Sequence, residues 1–387
     1  MRGWSRLGAL LLGLGCWLGS TPAWAASPPP AVTAKAALLE SADGRILFTH
    51  NAHARVPIAS VTKLMTLYLA VRAIERGRVQ LSDRVPVSEE AYRVSGSQIW
   101  LEPGERLTVD ELLKAIAVGS ANDAAYALGE YLSGSESAFV AAMNRTAERL
   151  GMRNTHFQNP HGLHHPQHYA SAWDLGILAR HAVHHPLLLH YTAMWQDRSL
   201  RNGKGGKLWL INQNRLLRTY PGTDGLKTGY TSEAGFCLVA TARRDHTRLI
   251  AVVLGEPTSQ ARFEDAAALL SWGFENYRTV PVVKAGAGLG QVRVERGVLS
   301  QVEAVARHPV AVTVPREGPA QVKTRVELLP KVQAPVREGQ RLGTLTVEVG
   351  GKVERTVPLV ARQAVAPLNL GELFIKSWGR LLGARAG

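Results

Sequence analysis

The sequence predicts an α+β domain over residues 31–280, a small β-rich domain over 281–363 and an amphipathic helix over 364–387. Three observations predict it. Strand-like apolar runs stand at both ends of the first segment, with helix-period segments between them. From Pro281 onward valine alternates with polar residues, the period of a half-buried strand. After Pro367 the apolar residues switch to helical spacing.

Residues 1–25 precede these elements. Arg2 and Arg6 flank the start of an apolar run, Leu7 to Leu18, and Ala23-Trp24-Ala25 offers small residues at the positions a signal peptidase reads. The expectation is a secretory signal cut after Ala25. The run is shorter than the ~20 apolar residues that a spanning helix needs. Gly13-Leu14-Gly15 before Cys16 matches a lipid-attachment signal poorly. Removing the leader leaves Cys237 alone, so no internal disulfide forms and the core must carry stability. Cys237 lies in the apolar run Phe236 to Ala242 and reads as a buried small hydrophobe.

The first domain opens with Ala36 to Glu40 and Arg45 to Phe48 around Asp43-Gly44, a hairpin with its turn dipeptide. Pro57 precedes a helix with Leu64, Leu67, Tyr68, Val71 and Ile74 on one face. Residues 109–131 read as two helices with a break at Ser120-Ala121-Asn122. A loop-rich stretch follows from about 152 to 170, then a helical segment over 171–194. Phe236 to Ala242 and Leu249 to Leu254 are apolar strands joined by a charged turn, and a helix over about 261–277 closes the segment. Strands at the two ends suggest one sheet built from both, with helices packed on its faces.

In the second domain Val292-Arg293-Val294, Val310 to Val314 and Leu345 to Val349 alternate strictly, and Gly350-Gly351 is a two-residue hairpin turn. In the tail Leu370, Leu373, Phe374, Trp378, Leu381 and Leu382 share one helical face, and Glu372, Lys376 and Arg380 share another. Such a helix lies in a membrane interface. The competing reading is a helix docked on its own protein. Trp378 beside basic residues and the leading Pro367 favour the membrane surface as partner.

The chain of 387 residues carries a net charge of +14. That charge is dispersed, without basic blocks interleaved with aromatics, which argues against nucleic acid as a partner. Anionic lipid or a carboxylate-rich wall polymer fits it better.

Three short strings carry chemistry. Ser60 and Lys63 stand on one face at a helix start, so the lysine can take the serine proton if burial or a nearby cation lowers its pKa. The same helix start offers a backbone N–H to an oxyanion. Ser120 and Asn122 add a hydroxyl able to relay a proton and an amide able to hold a peptide carbonyl. Lys227-Thr228-Gly229 is expected just before a strand, where Lys227 and Thr228 can bind a carboxylate, Gly229 allows close approach, and Tyr230 can donate a second oxyanion N–H. Any one string is common; the set is the signature of penicillin-binding proteins and class A β-lactamases.

With these strings and with Ser120 to Ala125, Asn159-Pro-His-Gly-Leu163, Thr223 to Gly229 and Ser271-Trp-Gly-Phe274, the chain resembles the serine-type D-alanyl-D-alanine carboxypeptidases, the low-molecular-mass penicillin-binding proteins. The likeness covers nearly the whole mature chain. It implies a DD-peptidase/β-lactamase-like domain, an antiparallel sheet with flanking helices. It implies that Ser60 attacks the D-Ala–D-Ala bond of a peptidoglycan stem peptide and that β-lactam antibiotics acylate Ser60. Lys63 is then the base, Ser120 and Asn122 assist, Lys227 and Thr228 hold the carboxylate, and the N–H groups of Ser60 and Tyr230 form the oxyanion hole. Arg262, opening the last helix, is a further candidate for the carboxylate, against a solvated arginine. Tyr230 stands where many relatives have histidine. No cofactor or metal is implied, and the resemblance places the enzyme at the periplasmic face of the inner membrane.

The alternatives are a β-lactamase, an endopeptidase and a non-catalytic wall-binding protein. The first needs a deacylating glutamate, and no Glu-x-x-x-Asn string follows the Ser120 motif. The second usually lacks the β-domain, and the intact serine–lysine set argues against the third. Most of the 13 histidines, including His161, His164, His165, His168, His184 and His185, fall between positions 156 and 190. They are expected to be solvated loop residues, because no HExxH string is present.

Overall fold

The computed structural model describes residues 27–201, 205–317, 321–369 and 371. The expected leader and positions 370 and 372–387 of the expected tail lie outside these residues; the tail's first residues are extended rather than helical, because Val365 and Pro367 bridge to Val336 and Gly297 and Val365 is buried in the β-domain core.

The sheet of the α+β domain has five antiparallel strands: β1 (Ala36–Ser41), β2 (Ile46–His50), β3 (Thr223–Thr231), β4 (Gly235–Arg244) and β5 (Thr247–Glu256), in the order β2-β1-β5-β4-β3. As anticipated, the two ends of the domain meet in it. Ala36 pairs with Leu254 and Ser41 with Leu249. Alternation along each strand divides the apolar residues between two cores. Leu38, Val239, Ile250 and Val252 face a large helical core, while Leu39, Leu238, Ala240 and Val253 face a second core under the helix Ser259–Asn276. Both faces are covered, which is why the central strands read as unbroken apolar runs.

The helical layer contains Lys63–Glu75, Val109–Ala117, Asn122–Ser133, Glu136–Leu150 and Ala172–Ala182. Their starts follow from local chemistry. Thr108 caps Val109–Ala117 in a reciprocal capping box with Glu111, Ser135 caps Glu136–Leu150, and Ser171 accepts from the Asp174 N–H.

Three further elements differ from the sequence expectation. The segment 171–194 is two helices, Ala172–Ala182 and Pro186–Thr192, because Pro186 has no N–H to continue the first and serves as the opening residue of the second. The helix after Pro57 is preceded by a 3₁₀ turn, Ala59–Thr62, which contains Ser60. Lys227 to Gly229 lie inside β3 rather than before it.

The strand Tyr277–Val283 follows the last helix directly and pairs with Val310–Pro315. A six-stranded sheet completes the β-domain around Val292, Val302, Val312, Leu345, Val347 and Leu359. Asp43 in the β1–β2 turn joins the two domains. Its carboxylate accepts from Thr313 N at 2.7 Å and from Thr313 Oγ1 at 2.6 Å.

Candidate active site

Ser60 and Lys63 lie between the helical layer and the free edge of the sheet. The residue before the serine, Ala59, has φ +49°. This left-handed conformation is uncommon for a residue with a Cβ and is held only where its surroundings dictate it. Two glycines allow those surroundings. A Cβ on Gly162 would stand 2.0 Å from Ala59 O and 2.9 Å from Ser60 N, and one on Gly229 would stand 3.0 Å from Ser60 N. The loop 159–163 and strand β3 therefore close on the serine backbone from two directions, and only glycine fits at either contact.

Lys63 is fully buried, and its Nζ contacts Ser60 Oγ at 2.8 Å, Asn122 Oδ1 at 2.6 Å and His161 O at 2.7 Å. Two of these partners are carbonyl oxygens, which only accept. A neutral amine has two N–H bonds and one lone pair. The two carbonyls take both N–H bonds, and the lone pair then faces the Ser60 hydroxyl. Burial pushes the Lys63 pKa well below the ordinary lysine range, and the Lys227 charge adds to the shift, while Asp123 opposes it.

Asn122 is anchored at both ends of its amide. Its Nδ2 donates to Ser95 O at 2.7 Å, and its backbone N donates to Ser97 O at 2.7 Å. The neighbouring Asp123 accepts from the Ile99 and Leu101 N–H groups at 3.1 and 3.2 Å. Together they tie the loop 95–101 to the start of helix Asn122–Ser133. Ser120 is buried, with φ +58°, in the break before that helix. It is not among the three hydrogen-bond partners of Lys63.

Lys227 is buried in β3, its amine donating to Thr228 O at 3.1 Å. Burial lowers its pKa to about 7, with the Arg262 cation contributing. Thr228 is buried beside it. Arg262 is not a solvated helix-start arginine: it is 5% exposed and donates to Gly229 O at 3.2 Å. Its guanidinium also stacks 4.6 Å from the Phe263 ring centroid. It thus braces the strand that carries Lys227. Tyr230 is exposed and stacks on Phe236, ring centroids 4.3 Å apart.

The structure thus gathers Ser60, Lys63, Asn122, Lys227, Thr228, Gly229 and Arg262 around one strand edge and one helix start. Sequence reasoning gave no role to His161, Gly162 or Asp123, although each lies in a string that carried the resemblance. His161 acts through its backbone oxygen, which no residue-type argument reveals. The expectation of solvated loop histidines is corrected for two residues: His161 and His168 are buried, and desolvation holds each neutral, with pKa lowered to about 3. Cys237 is buried as expected, and burial raises its thiol to about 11.

Fold and site define a serine–lysine acyl-transfer enzyme with an appended β-domain. Residues 23–258 match the peptidase S11 family model, D-alanyl-D-alanine carboxypeptidase, and residues 277–367 match the C-terminal domain of penicillin-binding protein 5. The chain belongs to the D-alanyl-D-alanine carboxypeptidase family. It is 40% identical to D-alanyl-D-alanine carboxypeptidase DacF of Bacillus subtilis over 85% of this chain and 84% of that protein. It is 35% identical to DacC of Escherichia coli over 90% and 88% of the two chains. Penicillin-binding protein 5 from Haemophilus influenzae superposes with a TM-score of 0.72 at 33% identity, covering 88% of this chain and 99% of that one. Penicillin-binding protein D2 from Listeria monocytogenes, solved in its ampicillin-bound form, has a TM-score of 0.57 at 33% identity over 64% and 100%.

Proposed function

We infer that the protein removes the terminal D-alanine from peptidoglycan pentapeptide stems through a Ser60 acyl-enzyme. The hydrogen-bond set of Lys63 carries this reading: two carbonyl acceptors leave the amine lone pair for the serine proton. Ser60 Oγ attacks the carbonyl carbon of the penultimate D-Ala while Lys63 takes the hydroxyl proton. The oxyanion accepts from the backbone N–H groups of Ser60 and Tyr230. Collapse breaks the peptide bond, and the leaving amine takes the proton, with Ser120 as relay. Water, deprotonated by the same lysine, then attacks the ester and restores Ser60.

Asn122 holds Lys63 in place and presents the remaining amide hydrogen to the substrate. Cationic Lys227 and the Thr228 hydroxyl bind the terminal carboxylate, with Arg262 holding the strand beneath them. A β-lactam ring offers the same acyl carbon to Ser60 and stays attached as an ester. The expected site of action is the periplasmic face of the inner membrane, with residues 1–25 directing export and the tail beyond residue 369 lying on the lipid surface.

Fluorescent penicillin tests the nucleophile: wild type should label and Ser60→Ala should not. Equal labelling of both, or of neither, rejects the serine mechanism. Weighing the products from a disaccharide pentapeptide and from a cross-linked dimer separates carboxypeptidase from endopeptidase action. Loss of one alanine from the pentapeptide with the dimer intact is the expected result.

A further inference from the structure

We propose that His168 is a positioning residue for the Ser60 oxyanion donor, acting through the Thr62 hydroxyl on the Ala59–Ser60 peptide group. The proposal rests on the reading of Ser60 as nucleophile and oxyanion donor. It adds two residues, one inside the Ser60–Lys63 motif and one in the loop 152–170.

The direction of each hydrogen bond follows from donor and acceptor chemistry. His168 Nδ1 lies 3.2 Å from the Gln158 backbone N–H, so Nδ1 accepts and carries no proton. The neutral ring must then carry its proton on Nε2. Nε2 is 2.7 Å from Thr62 Oγ1, and Thr62 Oγ1 is 2.8 Å from Ala59 O. A carbonyl cannot donate, so the Thr62 hydroxyl proton points to Ala59 O and its lone pair accepts from His168. The chain therefore runs one way, from Gln158 N–H through the imidazole and the hydroxyl to the Ala59 carbonyl.

That carbonyl and the Ser60 N–H are two ends of one peptide unit. A hydrogen bond to the oxygen draws charge along the amide and strengthens the N–H as a donor, the cooperative effect expected of hydrogen-bond chains in a low-dielectric interior. The same bond holds the peptide plane in the orientation imposed by the φ of +49° at Ala59.

His168 and Thr62 are 3% and 1% exposed, so water does not compete for either link. The imidazole is wedged edge-on against Phe157, ring centroids 5.8 Å apart. Burial disfavours a second proton on the ring, and the titratable groups around it are His156, His161, His164, His165 and Lys63. The chain therefore keeps its polarity across the working pH range. Neither residue touches substrate.

The test measures acylation of the mature protein by a chromogenic β-lactam, separated into the binding constant and the first-order acylation rate. It also measures the ester carbonyl stretch of the acyl-enzyme by infrared difference spectroscopy. Thr62→Val removes the hydroxyl at nearly constant volume. It should lower the acylation rate about tenfold, short of the roughly 10²–10³-fold loss when an oxyanion donor is deleted, with binding unchanged. The ester carbonyl should move to higher frequency, the mark of a weaker oxyanion hole. Thr62→Ser, which keeps the hydroxyl, should restore the rate to within about threefold, a loss far smaller than deletion of a donor. His168→Leu should act like Thr62→Val, and the double variant should be no slower than either single one. If His168→Leu does not fold, His168→Gln, which retains an N–H donor and an acceptor, should keep rate and frequency near wild type.

A folded Thr62→Val with wild-type rate and carbonyl frequency overturns the proposal. So does a loss shared equally between binding and rate with a lowered Tm, which would mark a general structural role. Failure of the wild type itself to form an ester at Ser60 rejects the nucleophile assignment instead.

Discussion

To act as the proposed base Lys63 must be neutral, and its surroundings favour that state. Burial does most of the lowering of its pKa, and the Lys227 charge adds to it. Lys227 in turn is lowered to about 7 by burial and by Arg262. Acylation should rise with pH as Lys63 loses its proton. It should fall as pH passes about 7, where Lys227 loses the charge that holds the carboxylate. Lys227→Gln removes a cation beside Lys63, which raises the Lys63 pKa. Its rising limb, in a pH profile of the second-order acylation constant, should move to higher pH. The falling limb should disappear. An unmoved rising limb would show that Lys227 does not tune Lys63. At this scale the sequence was informative about residue type and poor about state. The serine–lysine spacing told which groups meet. That the amine is dry, and that a main-chain oxygen of His161 is its third partner, depends on loops remote in sequence.

Strand β1 shows what an element can hide. Glu40 shares with Ala36 and Leu38 the face of β1 that packs on the helical core, and helix Ala172–Ala182 covers it. A Cβ on Gly176 would stand 3.0 Å from the Glu40 carboxylate. Glu40 is 1% exposed, and Arg180 Nε stands 3.6 Å away. Burial raises the Glu40 pKa from its ordinary 4.5 to about 7, with Arg180 opposing the shift. Between these values the folded state binds more protons than the unfolded chain, so stability falls as pH rises through that window. Glu40→Gln should therefore be more stable than wild type at pH 8 by about 1–3 kcal/mol, the difference vanishing near pH 4. Urea unfolding at the two pH values reads this directly, and equal midpoints at pH 8 would contradict it. The hairpin at Asp43-Gly44 and the paired strands β4 and β5 were legible because turn chemistry and apolar alternation are local. The break at His185-Pro186 and the placement of Lys227 to Gly229 within β3 were not read. The helical periodicity of 171–194 masked the proline, and β3 is stabilised mainly by pairing with β4.

At the scale of the molecule, the junction between the domains rests on a few polar contacts. Besides Asp43, Arg45 donates to Thr313 O at 3.0 Å, and Thr279 N donates to Thr247 Oγ1 at 2.8 Å. Asp43→Ala should remove two hydrogen bonds to the buried Thr313 at once. Proteolysis near Tyr277–Val283 should then accelerate several-fold while turnover of a soluble peptide stays at the wild-type rate; unchanged cleavage would show that Asp43 is not a clasp. The tail makes a separate prediction. Deleting 366–387 from the mature protein should move it from the membrane to the soluble fraction with peptide turnover intact. Retention on the membrane would reject the tail as anchor.

The sequence by itself determined the α+β and β-rich architecture, the identity of Ser60 and Lys63 as partners, and the family, because local periodicity and short motifs encode them. Only the tertiary structure decided the protonation and orientation of the site. Lys63 is stripped of water by Asn122 and His161, Arg262 is drawn under β3, and His168 is buried behind the nucleophile. Each depends on desolvation by segments distant along the chain, and desolvation is a property of packing that no single stretch of sequence displays.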